Sequence, residues 1–341
     1  MMKRRSVLKL IGQGILGQGV LAAPAVMTVA RPGLAQAKEK VTYAYLLDPA
    51  YDAVTWAMTN GKVTSDLITV EARGLAIPQL IQATSAKQYD VIMTAVIALP
   101  PAAARGLELR VLSTALQQAA AGEGAGVWVK SDSPIRSPKE LRGKALGSYG
   151  LRSTGYTQVR LALIHKYGLD AALEGGDLKQ LEIQAPNLPG ALAAGQIDAA
   201  TLIHSQAFRA LKSGEFRPIA ETGRDNIELY GMRFISALNV SYPERLAQRP
   251  DAFREFNRMF RDSVRYALAH RDEVFGAVGQ QSNLPPEFFN WWFEKSSDVP
   301  GTFEESHAQT IMKFYELSRE IGMIQSFPDI RTMVWEHALR G

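Results

Sequence analysis

The sequence predicts an α/β fold in two domains, each a mostly parallel sheet flanked by helices, with a cleft between them. Three observations carry this. Short runs of β-formers alternate with helical patterns, the alternation occurs twice, and 341 residues exceed the roughly 100 to 200 of one ordinary domain. Nearly half of the residues are apolar, enough to bury a large core.

The first alternating unit begins at residues 41–47, VTYAYLL, a strand broken by Asp48-Pro49-Ala50-Tyr51. A helix is expected from Asp52 to about Asn60 with Gly61 as its stop, then a strand at 67–70. Further helices (77–86, 100–105) and strands (89–95, 109–113) complete a βαβαβαβ pattern. Residues 117–126, QQAAAGEGAG, have neither period and little bulk, and read as a crossing between domains.

The second unit starts with the strand 127–129. Ser137-Pro138-Lys139-Glu140 has capping-box form with Pro at the first helical position, so a short helix runs to Arg142. In residues 144–167 an apolar run stops at three glycines and restarts as a helix closed by Gly168. Ser148, Arg152, Ser153 and Thr154 then sit at the mouth of that helix, where free N–H groups and the helix dipole suit an anion. Strands at 181–183, 199–203 and 218–220 and helices at 188–194 and 205–212 follow. After a return strand at 234–240 the chain reads as helical: one long helix over 251–278, a connection over 281–300 whose Trp291-Trp292-Phe293 plugs a helix-sheet seam, and a helix over 303–321.

Charge is placed unevenly. Residues 1–37 hold five basic groups (Lys3, Arg4, Arg5, Lys9, Arg31) and no acid; removing them leaves 33 basic against 34 acidic residues. The positive excess belongs to this leader, so the body offers no field for nucleic acid. A basic start, a modest apolar middle and Ala35-Gln36-Ala37 are the parts of an export signal, expected to be cleaved after Ala37. Arg4-Arg5 with Leu8-Lys9 resembles the twin-arginine motif, with Val7 where that pattern usually has Phe. The G-x-G-x-x-G at Gly12, Gly14 and Gly17 follows no strand and is not a dinucleotide site.

The chain has no cysteine, which excludes disulfides, thiolate metal sites and cysteine nucleophiles. Its five histidines show no paired ligand spacing, and no nucleophile elbow or P-loop follows a strand. No catalytic residue, metal or cofactor is expected.

Residues 56–70 (WAMTNGKVTSDLITV), Gln88 to Asp90 with 102–106 and 109–112, 137–147 (SPKELRGKALG) and 191–200 (ALAAGQIDAA) resemble the periplasmic solute-binding proteins of ABC transporters for nitrate, sulfonates and taurine. The superfamily also contains binders and makers of thiamine pyrimidine precursors. The resemblance implies the two-domain periplasmic-binding-protein fold, class II type, with a solute held in the cleft. It implies a leader (1–37), a discontinuous first domain (38–122 with 228–341) and a second domain (123–227). It implies a monomeric, periplasmic, non-enzymatic receptor that delivers a small organic anion to a membrane permease. A sensing partner of a membrane receptor is the alternative; a thiamine-pyrimidine-synthase-like enzyme would need a cysteine-rich motif that the chain lacks.

Ligands of open α/β sheets lie beyond the C-terminal strand ends. Those positions here are Asp48 to Tyr51, Thr94-Ala95, Ser148 to Thr154, Asn187 and His204. Ser148, Ser153 and Thr154 are expected to donate to an anionic head that Arg152 clamps, Tyr51 and Tyr149 to pack on an organic tail, and Asn187 to orient it. His204 stands where the family often has an acidic-aromatic pair, and as a histidine it can accept or donate.

Overall fold

A computed structural model describes residues 37–340; residues 1–36, and with them the expected export leader, lie outside the description. The chain from Lys38 onward forms one compact unit. Its strands are β1 (Glu39–Leu46), β2 (Ile68–Leu75), β3 (Val91–Ala95), β4 (Arg110–Gln118), β5 (Gly126–Lys130), β6 (Ala145–Ser148), β7 (Lys179–Glu182), β8 (Ala199–Leu202), β9 (Phe216–Ala220), β10 (Ile235–Ser241) and β11 (Ser297–Asp298). They build two mixed sheets. One has the order β11-β4-β10-β3-β1-β2 and the other β7-β6-β8-β5-β9.

Parallel pairing joins β1 to β2 and β3, and β6 to β7 and β8. The antiparallel pairs are those of the strands next to the crossings, β10 with β3 and β4 and β5 with β8 and β9, and that of the short β11 with β4. A strand that arrives from the other sheet is not the second strand of a βαβ unit within its own sheet, so neither direction is imposed on it.

Local chemistry sets the element ends. The first helix spans Pro49–Thr59, earlier than the sequence suggests, because Asp48 caps it by accepting from Ala50 N–H at 2.9 Å and Pro49 occupies its first turn. Tyr51 is therefore helical and faces the core. The long C-terminal helix expected over 251–278 is two helices, Pro250–Ala269 and Arg271–Ser282, broken at His270, whose backbone is non-helical. Asp272 and Glu273 then sit in a new first turn, where acids complement the helix dipole. The connection after it holds a further helix, Pro286–Trp291, and the short β11. The helix Thr222–Tyr230, between β9 and β10, has no clear sequence signal apart from Gly231, its left-handed stop.

Both faces of the larger sheet are covered. Phe253, Phe256, Phe260 and Trp292 pack with Tyr43 and Tyr51 on one face; Phe314 and Tyr315 of the helix Glu305–Glu320 pack with Phe234 and Leu238 on the other. Trp292 is fully buried, edge-on to Tyr51, and Trp291 meets Phe208 of the helix His204–Ser213, so the aromatic run fills the seam between the two sheets' helices.

Asp90, just before β3, ties the first sheet together. It accepts from Thr42 N–H and Oγ1 at 2.9 Å and pairs with Arg245 and Arg249, with only 13% of its side chain exposed. Asp90→Ala leaves both guanidinium groups short of their carboxylate and is expected to cost about 3 kcal/mol, read from urea unfolding.

His307 gives the fold a pH dependence. Its Nδ1 accepts from Glu304 N–H at 3.1 Å and stands 3.2 Å from Thr114 Oγ1, so the neutral ring is the one that fits. Burial lowers its pKa from the ordinary 6.5. A folded-state value below the unfolded one means that the unfolded chain binds the proton more readily. This stability is present above about pH 6.5 and is lost as pH falls towards the folded pKa. Urea midpoints measured between pH 7.5 and 5 should fall in the wild type, and His307→Gln should flatten that fall.

Candidate functional site

The C-terminal ends of the strands converge on one cavity of about 160 Å³ between the two sheets. Leu46 ends β1 in its wall, Thr94 and Ala95 end β3, Leu116 to Gln118 end β4, and Thr201, Ile203 and His204 come from the end of β8. Apolar side chains (Ile77, Leu80, Met93, Leu107, Val159) form most of the remaining wall. The bulk of any occupant is therefore held by area burial, and its orientation by a few polar groups.

Those polar groups come from identifiable local devices. The helix Thr154–His165 opens at the cavity with Ser153 as its cap, Oγ accepting from Tyr156 N–H at 3.1 Å. Thr154 Oγ1 accepts from Ile97 N–H at 3.2 Å, which leaves its own O–H to donate. The Thr154 and Gly155 N–H groups, the first two of the helix, have no intrahelical acceptors. Tyr149 lies over them: a Cβ at Gly155 would fall 2.0 Å from its hydroxyl, so only glycine lets the ring sit there. Burial pushes the Tyr149 hydroxyl up to about 12, so at neutral pH it remains a donor. On the other side, β10 carries an extra residue between Ile235↔Gln117 and Ala237↔Leu116, and this bulge brings Ser236 into the wall. Gln158 Nε2 donates to Ser236 Oγ at 3.4 Å.

His204 is the strained member. Its φ of 48° is in the left-handed region, unfavourable for a non-glycine residue, at the turn from β8 into its helix. It is held there by Asp48 Oδ2, 2.8 Å from Nδ1, and by Trp292 edge-on at 5.7 Å. Asp48 follows β1 and His204 follows β8, so this pair joins the two sheets across the cleft, as the Thr154–Ile97 hydrogen bond also does.

The eleven residues singled out from sequence separate into three groups. Thr94, Ala95, Tyr149, Ser153, Thr154 and His204 line the cavity, with Asp48 directly behind His204. Tyr51 and Ser148 are brought close but are fully buried with protein partners: the Tyr51 hydroxyl donates to the Ala115 carbonyl, and Ser148 Oγ accepts from Thr201 Oγ1 at 3.1 Å. Arg152 and Asn187 are exposed and outside the cavity wall. The cationic lining group is instead Arg105, exposed at the rim after the helix Leu99–Ala104. Sequence reasoning also passed over Gln117, Gln118, Gln158, Thr201 and Ser236. Gln117-Gln118 had a readable signal, two amides at the end of an apolar strand where the crossing begins; the bulge at Ser236 had none. Among the described residues no group of His, Asp and Glu is arranged to hold a metal ion, and no helix is long and apolar enough to cross a membrane.

The model of the menaquinone biosynthesis family matches residues 49–320. The chain belongs to that family. No curated protein matches the sequence. Among solved structures the fold matches the periplasmic aliphatic sulphonate binding protein SsuA of Escherichia coli, at 15% identity and TM-score 0.67 over 88% of this chain and 98% of that one. The alkanesulfonate-binding protein SsuA of Xanthomonas axonopodis pv. citri, bound to MOPS, matches at 18% identity and TM-score 0.67 with the same coverage. A protein of Archaeoglobus fulgidus matches at 21% identity and TM-score 0.66 over 84% of this chain and 98% of that one. The family member described here thus has the periplasmic-binding-protein fold.

The Asp48 carboxylate both caps a helix and holds His204. Asp48→Ala should cost about 1 to 2 kcal/mol from the lost cap alone, whereas Asp48→Asn keeps an acceptor for Ala50 N–H and should cost less than half of that. Chemical denaturation of both variants measures the difference.

Proposed function

We propose that this protein is an exported solute-binding receptor that holds a small organic anion in the cleft between its two sheets and delivers it to an ABC importer. One observation carries the reading: the strand ends of two separate sheets surround a single, mostly apolar cavity into which the start of a 12-residue helix opens. The ligand's acid head, a carboxylate or sulfonate, sits at Ser153, Thr154 and the first helical N–H groups, with Tyr149 donating beside it. Its body lies against Leu80, Met93 and Val159. The residues 38–122 with 228–341 act as one rigid body and 123–227 as the other, closing on the ligand through the Asp48–His204 and Thr154–Ile97 contacts.

Membership of a biosynthetic family supports a second reading, an enzyme on the same fold. Asp48 holds the His204 ring by Nδ1, as an orienting carboxylate holds a general base, and His204 lines the cavity. The two readings differ in what becomes of the ligand. A thermal-shift screen of aromatic and aliphatic carboxylates and sulfonates against neutral analogues finds the ligand, and mass spectrometry after prolonged incubation reads its fate. Recovery of unchanged ligand supports the receptor; a product that disappears with His204→Ala supports the enzyme. For the acid found, Thr154→Val is expected to weaken binding about tenfold by removing a buried donor. Arg152→Ala should change it by less than about twofold, as expected of an exposed charge.

A further inference from the structure

The cavity opens to solvent between two helices. Of the residues that line it, three are exposed, Ile81, Ser85 and Arg105; the others are buried or half-buried. Ile81 and Ser85 belong to the helix Ile77–Ser85 and Arg105 follows the helix Leu99–Ala104, so the mouth lies between these two. Ile81 is 46% exposed there. Apolar surface at the mouth of a cavity is covered unfavourably by water until something apolar displaces it.

Both helices suit an apolar occupant. Ile77, Leu80, Ile81, Thr84 and Ser85 line the cavity at helical spacing, so one whole face of the first helix is wall. The two hydroxyls on that face make no demand on an occupant: Thr84 Oγ1 donates to the Leu80 carbonyl at 2.7 Å, and Ser85 Oγ to the Ile81 carbonyl at 3.2 Å. From the second helix come Ala98, Ala102 and Arg105, and the small alanines leave a passage. The path from Ala98 to Arg105 rises about 10 Å along the helix axis. Ala98 follows Ile97, whose N–H donates to Thr154 Oγ1, so the path starts beside the opening of the helix Thr154–His165 and ends in water.

A passage that begins at the acid-binding end, is lined by hydrocarbon and ends in solvent fits a linear apolar chain. A compact ring leaves Ile81 uncovered, and a polar group partway along finds no partner. We propose that this groove holds the tail of the ligand, an acid with a linear alkyl chain long enough to span it, whose far end emerges between Ile81 and Arg105. Ala102 and Ile81 are then specificity residues: the first keeps the passage open, and the second covers the chain where it emerges. This rests on the receptor reading above and deepens it by naming the tail. An open-ended groove, unlike an enclosed pocket, sets no upper limit on chain length.

Calorimetric titration of the purified protein with the linear acids from butanoate to dodecanoate, and with the matching alkanesulfonates, tests this. Affinity should rise about two- to fourfold per methylene up to decanoate and level off at dodecanoate, whose last carbons lie in water. Ala102→Phe fills the passage and should reduce the whole rise from butanoate to decanoate to under about threefold. Ile81→Ser removes apolar area at an exposed site and should weaken dodecanoate about threefold more than butanoate, which serves if the Phe variant folds poorly. A series that is flat, or that falls once the enclosed cavity is full, overturns the tail groove and leaves Ile81 as surface for another protein. A rise that survives in both variants overturns it too. In either case binding of the short acids leaves the receptor standing, whereas failure of every acid to bind overturns both.

Discussion

The placement of the two sheets depends on one close contact, the backbone-to-backbone approach of the two crossings. A Cβ at Gly122, where φ is +63°, would fall 2.7 Å from Arg224 N, and one at Gly223 would fall 2.5 Å from the Gly122 carbonyl oxygen. No side chain fits between these segments, so the chain leaving β4 and the chain leaving β9 lie against each other. That contact orients the strand ends of both sheets towards a common volume. It also sets Gln118, the last residue before the crossing, beside Gly223 and in the cavity wall.

The opposite side of the cavity is held by polar contacts of a different character. Asp48–His204 and Thr154–Ile97 are single hydrogen bonds between elements far apart in sequence, and each involves a group at the cavity surface. The left-handed backbone of His204 costs free energy that its neighbours must offset, and Asp48 and Trp292 are the neighbours that do so. The crossings hold the two sheets by backbone packing, and the far side holds them by these hydrogen bonds together with the packing of Phe208 on Phe288 and Trp291.

Sequence reasoning reached the alternation and the strand-to-helix junction at 148–154, because each is local chemistry: turn residues, caps and β-formers close together in the chain; of the crossing read at 117–126, residues 117, 118 and 126 are strand, and 119–125 pass from one sheet to the other. It stopped short where geometry is set by distant partners. Asp48-Pro49 looked like a strand breaker and is a helix cap with its proline, which moves Tyr51 from the cleft into the core. Arg152 belongs to the junction in sequence, yet the turn that places Ser153 as the cap leaves the residue before it in solvent. Ser236 enters the wall through a bulge that only the pairing of β10 with β4 creates, and the antiparallel entry of β10 and β5 follows from the crossings and not from any run of residues.

The balance of groups in the cavity separates what gives affinity from what gives selectivity. Its wall is chiefly aliphatic, so most of the free energy of holding a ligand comes from apolar area removed from water, a term nearly blind to the ligand's identity. The hydroxyls at the helix start add little net free energy when paired, since water serves them equally well before binding. When left unpaired they cost far more than they contribute when paired. On the proposed receptor reading, discrimination in this cleft arises from the penalty that a poorly matched ligand incurs at those atoms, and the few polar side chains outweigh the larger apolar wall in deciding which molecule is retained.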